Sequence, residues 1–400
     1  MQISNSKTLL PNDIASMIST YCCVDDLSTF DPYDIWKTTY GFQIKSLFNK
    51  NRKLGLIPAA LLTIYDLYLN KIRFGYSKQE YSIVRAQSAL TLLNLYEADP
   101  LEKYLIYAEK HVEWLIENAC ETNASMGWGL GFSWAVDKDM VYNEKTPTAT
   151  MTPYVLEAIV KLAGIKQNRS YDKYINKILT FFMDDIKILY EDDSVMATSY
   201  APYRDRIVIN SCSYTMYSLA VCRQYVDAEL RKKIDSRIVK LFNFICTNQN
   251  ADGSFLYSPE GVSFIDCFHS CFVIKNIIKT QKICSLIDAS KVIDKSYSFV
   301  TNEFEDTNGL YRRFAITNKP SLIKYDLYDN AEVIHLMLLK GDVDKAANLI
   351  NIVLSKFTED SAVYSQIDIF GIKSGAGTLR WAVMPFMYSL SSYILALSEK

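Results

Sequence analysis

Leu230-Arg231-Lys232-Lys233-Ile234-Asp235-Ser236-Arg237-Ile238-Val239-Lys240-Leu241-Phe242-Asn243-Phe244-Ile245 decides the fold class. Leu230, Ile234, Ile238, Leu241, Phe242 and Ile245 recur at the three- and four-residue spacing of one helix face, and Lys232, Lys233, Asp235 and Lys240 fill the other. Such a stripe packs on one side and meets water on the other. Tyr171 to Tyr190 follows the same pattern. Just upstream, Tyr214 to Val221 is apolar on nearly every side, as is Tyr154 to Ala163. A helix of that kind must be enclosed by protein. Half-wet and enclosed helices alternate along the chain, which predicts two concentric layers.

A period supports this arrangement. Enclosed helices begin near Thr150, Asn210, Asp266, Asp326 and Trp381, about every 55–60 residues, and a further one begins near Tyr81. That step is the length of two helices and two loops, with little identity between repeats. Six inner and six outer helices close a ring, Pro11 to Cys22 supplying the outer partner of the last helix. The expectation is an all-α chain, an (α/α)6 toroid of six helical hairpins. Residues 1–400 would form a single domain, with 31–70 as an embellishment. In such a ring the inner helices run the same way, and the loops before them gather at one mouth, where helix N-termini offer free N–H groups and partial positive charge.

Composition narrows the function. With 43 Lys and Arg against 45 Asp and Glu, the net charge is −2. No basic excess exists to neutralise phosphates, so no nucleic-acid partner is expected. Gly 14 and Pro 10 are low for a turn-rich β protein, and the 28 tyrosines suit a wet cleft with apolar walls. Met1 to Lys7 lacks a basic stretch leading into an apolar run, so no signal peptide is expected. The nine cysteines are odd in number, without a Cys-x-x-Cys, and read as reduced thiols of a cytoplasmic protein. Leu54 to Leu69 is the most apolar run. It is short for a membrane span and carries Asp66, which suits a buried or interfacial helix.

The mouth loops hold the candidate site. Gly127 to Trp134 places Trp128 and Trp134 among glycines, and indole faces suit the C–H faces of sugar rings. The competing reading makes both indoles core plugs. Tyr200 to Arg206, with Tyr203, Arg204 and Asp205, ends at Asn210 and suits an anionic or hydroxylated ligand. Gln249 to Tyr257, with Asp252 and Tyr257, leads to Asp266 and His269. That pair stands at i and i+3 on a helix start, close enough for proton transfer. Alternatively Asp266 is only a cap. Cys267, His269 and Cys271 do not share a helix face, so no metal is expected there. Arg312 precedes the helix start at Asp326, and Arg380-Trp381 opens the last helix. His111 and His335 read as structural. No cofactor motif is present.

In order along the chain, Asp31-Pro32-Tyr33-Asp34, Trp128 to Trp134, Thr146-Pro147-Thr148, Asn210, Gln249 to Phe255, Ile265 to His269, Tyr325-Asp326-Leu327 and Arg380-Trp381 resemble the VpsJ-like family of bacterial polysaccharide-biosynthesis proteins, of the six-hairpin-glycosidase-like superfamily. The chain departs from the family pattern at Phe255, Cys267 and Tyr328. The resemblance implies the toroid and a role in capsule, O-antigen or exopolysaccharide synthesis, with a saccharide or glycan intermediate as ligand. Contact with the membrane or with polysaccharide-synthesis machinery is left open, as is the oligomer. Glycosidase-like hydrolysis would pair carboxylates among Asp266, Asp326 and Asp34. A uronate epimerase or lyase would instead abstract a proton with His269 or a tyrosine, and a non-catalytic glycan- or partner-binding protein would use the aromatic mouth alone.

Overall fold

The computed structural model describes residues 11–399 apart from 123, 137–138, 205, 261–262 and 318–320. Asp205 and Met1 to Lys7 lie outside the described residues. In chain order the helices are α1 (Pro11–Cys22), α2 (Thr39–Lys50), α3 (Arg52–Ile64), α4 (Ser82–Ala98), α5 (Glu102–Glu117), α6 (Thr152–Lys166) and α7 (Asp172–Thr180). They continue with α8 (Ile209–Cys222), α9 (Ala228–Thr247), α10 (Cys267–Ile283), α11 (Ser290–Glu303), α12 (Leu327–Lys340), α13 (Val343–Phe357) and α14 (Met384–Ser398).

Helices α4, α6, α8, α10, α12 and α14 pack side by side in a closed inner ring, α14 returning to α4. Asn94 of α4 bonds Ser391 of α14 at 3.1 Å across that closure. Helices α5, α7, α9, α11, α13 and α1 form the outer layer. This is the expected (α/α)6 toroid. The two layers differ as their sequences do. Every residue of α8 is buried. Only one stripe of α9 is: Ile234, Ile238, Leu241, Phe242, Phe244 and Ile245. Those six side chains contribute on the order of 10 kcal/mol by burial, far more than helix propensity alone. The Asp227 carboxylate starts α9 by accepting from the Leu230 N–H at 2.9 Å.

Among the described residues, strands are two to four residues long and sit only in the loops that lead into inner helices. Residues Ile265–Asp266 pair with Phe314–Ile316, and Ile323–Asp326 with Gln366–Asp368, so neighbouring mouth loops are stitched together. The stretch expected as an embellishment divides in two: residues 31–37 enter the mouth, and α2 with α3 lies on its rim. All nine cysteines are free. One described helical run, Leu379–Ser398, is long and apolar enough to cross a membrane. It contains α14, an inner-ring helix, and is 56 % buried by protein.

Candidate active site

The mouth is built on helix starts. Asp266 is the last extended residue before α10, and its carboxylate makes no cap bond to the helix N–H groups. It turns instead to His269, one turn on, whose Nδ1 lies 2.8 and 2.9 Å from its two oxygens. With Nδ1–H donated to that carboxylate, Nε2 is the ring nitrogen left to meet a ligand. The His269 side chain is 21 % exposed while Asp266 is 3 % exposed. The dyad is therefore reachable through its imidazole.

Around it, Tyr257 places its ring 4.7 Å from His269 and stacks on Phe264, also at 4.7 Å. Phe268 leads to the other side, 5.5 Å from Trp381 and 5.4 Å from Tyr328. Asn210, Tyr257, Asp266, His269 and Ser270 line a small crevice at the surface of the mouth. Asn210 is 4 % exposed, and its Oδ1 has no hydrogen-bond partner among the described residues. A buried acceptor left unpaired is costly, and a ligand hydroxyl would satisfy it.

Asp326 starts α12 as Asp266 starts α10, but its carboxylate is saturated. It accepts from the Tyr328 N–H at 2.9 Å, the Trp381 Nε1–H at 2.8 Å and the Gln366 Nε2–H at 3.2 Å, with the Arg313 guanidinium 3.7 Å away. It is wholly buried. Burial raises its proton affinity, against the pull of Arg313. One turn on, Asp329 accepts from the Phe268 N–H at 3.0 Å, tying the two helix starts together. Burial, reinforced by the neighbouring Asp326, pushes the Asp329 carboxyl well above the usual carboxylate range.

The loop at 31–37 completes the mouth. Arg313 donates to the Tyr33 hydroxyl at 2.8 Å. Tyr33 meets Trp381 edge-on at 5.1 Å, and burial pushes its hydroxyl up to about 12. Asp31 pairs with Arg380 and lies 3.5 Å from Lys37. Burial opposes its ionisation, but those two charges outweigh it and hold the carboxyl below the usual range. Asp34 is clamped by Lys37 at 3.0 Å and Arg73 at 3.2 Å.

Asp266, His269, Tyr257, Asn210, Asp326, Trp381 and Arg380 thus come together, and Trp134 joins at the edge through Phe132, 5.8 Å from it. Other expected residues do not. Trp128 is fully buried and donates its indole N–H to the Leu115 carbonyl, so it is a core plug. Asp252 folds back on the Ser254 N–H and hydroxyl. Its loop braces α11: Gln249 bonds the Val292 carbonyl, and a Cβ on Gly253 would lie 2.4 Å from the Lys295 carbonyl oxygen. Arg312 reaches outward to the Glu303 carbonyl. Tyr203 is 44 % exposed and stacked on Tyr142, and Arg204 is exposed beside it. Arg313, Asp31, Tyr33 and Asp329 belong to the mouth without having stood out in the sequence as site residues. Alternation along an extended segment was the available signal for Arg313, since neighbours there face opposite ways. Among the described residues, no group of three or more His, Cys, Asp or Glu side chains could hold a metal ion.

Known structures share this architecture. The chain superposes on a cellobiose 2-epimerase from Bacillus thermoamylovorans B4167 with a TM-score of 0.60, at 12 % identity over 80 % of this chain and 88 % of that one. It superposes on the GH76 α-mannanase BT2949 of Bacteroides thetaiotaomicron with a TM-score of 0.57, at 12 % identity over 92 % and 98 %. A D-mannose isomerase gives 0.54, at 12 % identity over 80 % and 88 %. These likenesses show the fold, an (α/α)6 toroid. No family model matches the chain, and no curated protein matches it in sequence.

Proposed function

We propose that this chain is a carbohydrate-active enzyme that moves a proton at a sugar carbon, with His269 as the base and acid and Asp266 as the group that orients it. The observation that carries this reading is the Asp266–His269 dyad, opening on a crevice whose buried Asn210 oxygen lacks a partner. Nε2 would take the proton from a carbon beside a carbonyl or carboxylate and return it on the same or the opposite face. Tyr257 and Trp381 would hold the ring by its C–H faces, and Asn210 would accept a hydroxyl proton. Arg313, joined to Tyr33, would stabilise the oxyanion that forms when the proton leaves.

Hydrolysis by paired carboxylates has less support. Its acid and base need access to the glycosidic oxygen and to water. Asp326 is enclosed by three hydrogen-bond donors and the Arg313 cation, and Asp34 is clamped between two cations. Fold likeness spans an epimerase, an isomerase and a mannanase, so it supports a sugar ligand without choosing the reaction. The sequence resemblance supports a place in bacterial surface-polysaccharide synthesis, with the cytoplasm as the compartment. The test is incubation with reducing sugars, uronates and oligosaccharides in D2O. The expected result is deuterium at a sugar carbon, with an isomer of the sugar as product. Release of shorter sugars without carbon-bound deuterium would overturn it.

A further inference from the structure

We propose that α3 and the turn after it form a docking surface for an anionic lipid bilayer, holding the mouth of the toroid against the membrane. Helix α3 crosses α2 so closely that a Cβ on Gly55 would lie 2.3 Å from the Cα of Phe48. Among the described residues its opposite face has no such cover. Leu54, Ile57, Leu61 and Leu69 are each more than 60 % exposed, and Ile72 is 83 % exposed. No charged residue falls between Lys53 and Asp66. An aliphatic face of this extent on a protein surface marks an interaction site.

The charge around it selects the occupant. Residues 39–78 hold seven basic side chains and one acidic one, Asp66, in a chain whose net charge is −2. Asp66 is buried and paired with Arg73 at 3.2 Å. Lys50, Arg52 and Lys53 are exposed at the start of α3, and Lys71 and Lys78 after its end. An apolar helix face with exposed cations at both ends matches a helix lying in the headgroup layer, side chains in the acyl boundary and cations among phosphates. A protein partner would instead be expected to meet aromatic and hydrogen-bonding residues at the centre of the patch. Residues 52–69 extend about 27 Å, short of the roughly 30 Å hydrocarbon core, so the helix lies along the surface and does not span it.

The surface is continuous with the mouth. Tyr68 donates to Asp368 at 2.7 Å, and Asp368 in turn holds the N–H groups of Phe370 and Ile372 at 2.8 Å. Phe370, 72 % exposed, thereby stands at the tip of a mouth hairpin beside the same patch. Arg73 joins the patch to Asp34 in the mouth. A glycan attached to a membrane lipid would reach the crevice from this side.

The full-length chain is floated with vesicles of phosphatidylcholine alone and with about 30 % phosphatidylglycerol, alongside the variants Ile57→Gln/Leu61→Gln/Ile64→Gln and Arg52→Glu/Lys53→Glu. Wild type is expected to partition at least ~10-fold more onto the anionic vesicles, less so as salt rises. Each variant should lose most of that binding with an unchanged circular dichroism spectrum. No flotation of wild type with anionic vesicles would overturn the proposal, as would a triple-glutamine variant that binds like wild type. A wild-type dimer in sedimentation that the glutamine variant dissolves would also overturn it, because a second copy would then be the occupant. None of these readouts depends on turnover, so their failure leaves the proposed chemistry untouched.

Discussion

Asp266 and Asp326 occupy equivalent places, the last extended residue before two adjacent inner helices, yet their carboxylates serve different ends. Asp326 caps its helix and is closed in by Trp381, Gln366 and Arg313. Asp266 leaves its helix uncapped and holds an imidazole that solvent can reach. The difference lies in what stands one turn on. At position 269 an imidazole offers Asp266 a donor, whereas at position 329 the carboxyl turns to the Phe268 N–H and Asp326 takes its donors from Tyr328, Gln366 and Trp381. One backbone position thus yields a solvent-reachable Asp–His pair in one repeat and a structural anchor in the next.

The largest expected contrast is in turnover. His269→Gln should cost roughly 10²–10⁴-fold in rate while leaving the melting temperature near wild type. Asp266→Asn should cost a comparable amount, and the double variant little more, because members of one catalytic unit are not additive. Full loss of activity from Asp326→Asn with none from Asp266→Asn would invert the comparison.

Stability should separate the same two positions the other way. Asp326→Ala leaves the Trp381 indole N–H and the Gln366 amide without their acceptor and the half-buried Arg313 without its counter-charge, and should lower the unfolding free energy by about 3–5 kcal/mol in urea titrations. Asp266→Ala loses one bond at a wetter site and should cost roughly 1–2 kcal/mol. Equal losses would erase the distinction.

The histidines extend the comparison to pH. His111 is fully buried, with one ring nitrogen 2.9 Å from Arg85 and the other 2.9 Å from the Cys22 carbonyl oxygen. Burial lowers its pKa to about 4, and the Arg85 charge adds to that effect. Between about 4 and the unfolded value near 6.5 the unfolded chain binds the extra proton, so stability falls as pH falls through that window. The His111 contribution to that slope is at most about 3 kcal/mol, and His111→Gln should flatten it in denaturation curves taken from pH 7 to pH 4. The smallest expected effect is at Arg312. Arg312→Ala should change stability by less than about 0.5 kcal/mol and leave turnover intact, while Arg313→Ala should lower turnover clearly.

The toroid was legible because burial imposes its period on composition. The wet face of α9 needs its lysines, and α8 cannot carry any. Asp266 and His269 were legible because they sit one turn apart at the start of a helix of known polarity. Trp128 misled because an indole among glycines looks the same in sequence whether it lines a cleft or fills a core. Only the acceptor it finds, the Leu115 carbonyl on the preceding helix α5, decides that. Asp252 misled because its turn serves α11, a neighbour that local sequence does not reveal. Asp31 and Tyr33 stood in a matched segment, but their roles were hidden because their partners, Arg380 and Arg313, come from the far end of the chain.

The most direct test of the Asp266–His269 assignment is the position of a saccharide bound to the His269→Gln protein. A sugar ring is expected in the crevice between Asn210 and residue 269, against Tyr257, with Asn210 Oδ1 accepting a hydroxyl. When that complex is superposed on the wild-type protein, one sugar carbon should lie roughly 3–3.5 Å from the His269 Nε2. A saccharide seated away from that ring, with its glycosidic oxygen against Asp326 or Asp34, would contradict the assignment and return the chemistry to the carboxylates.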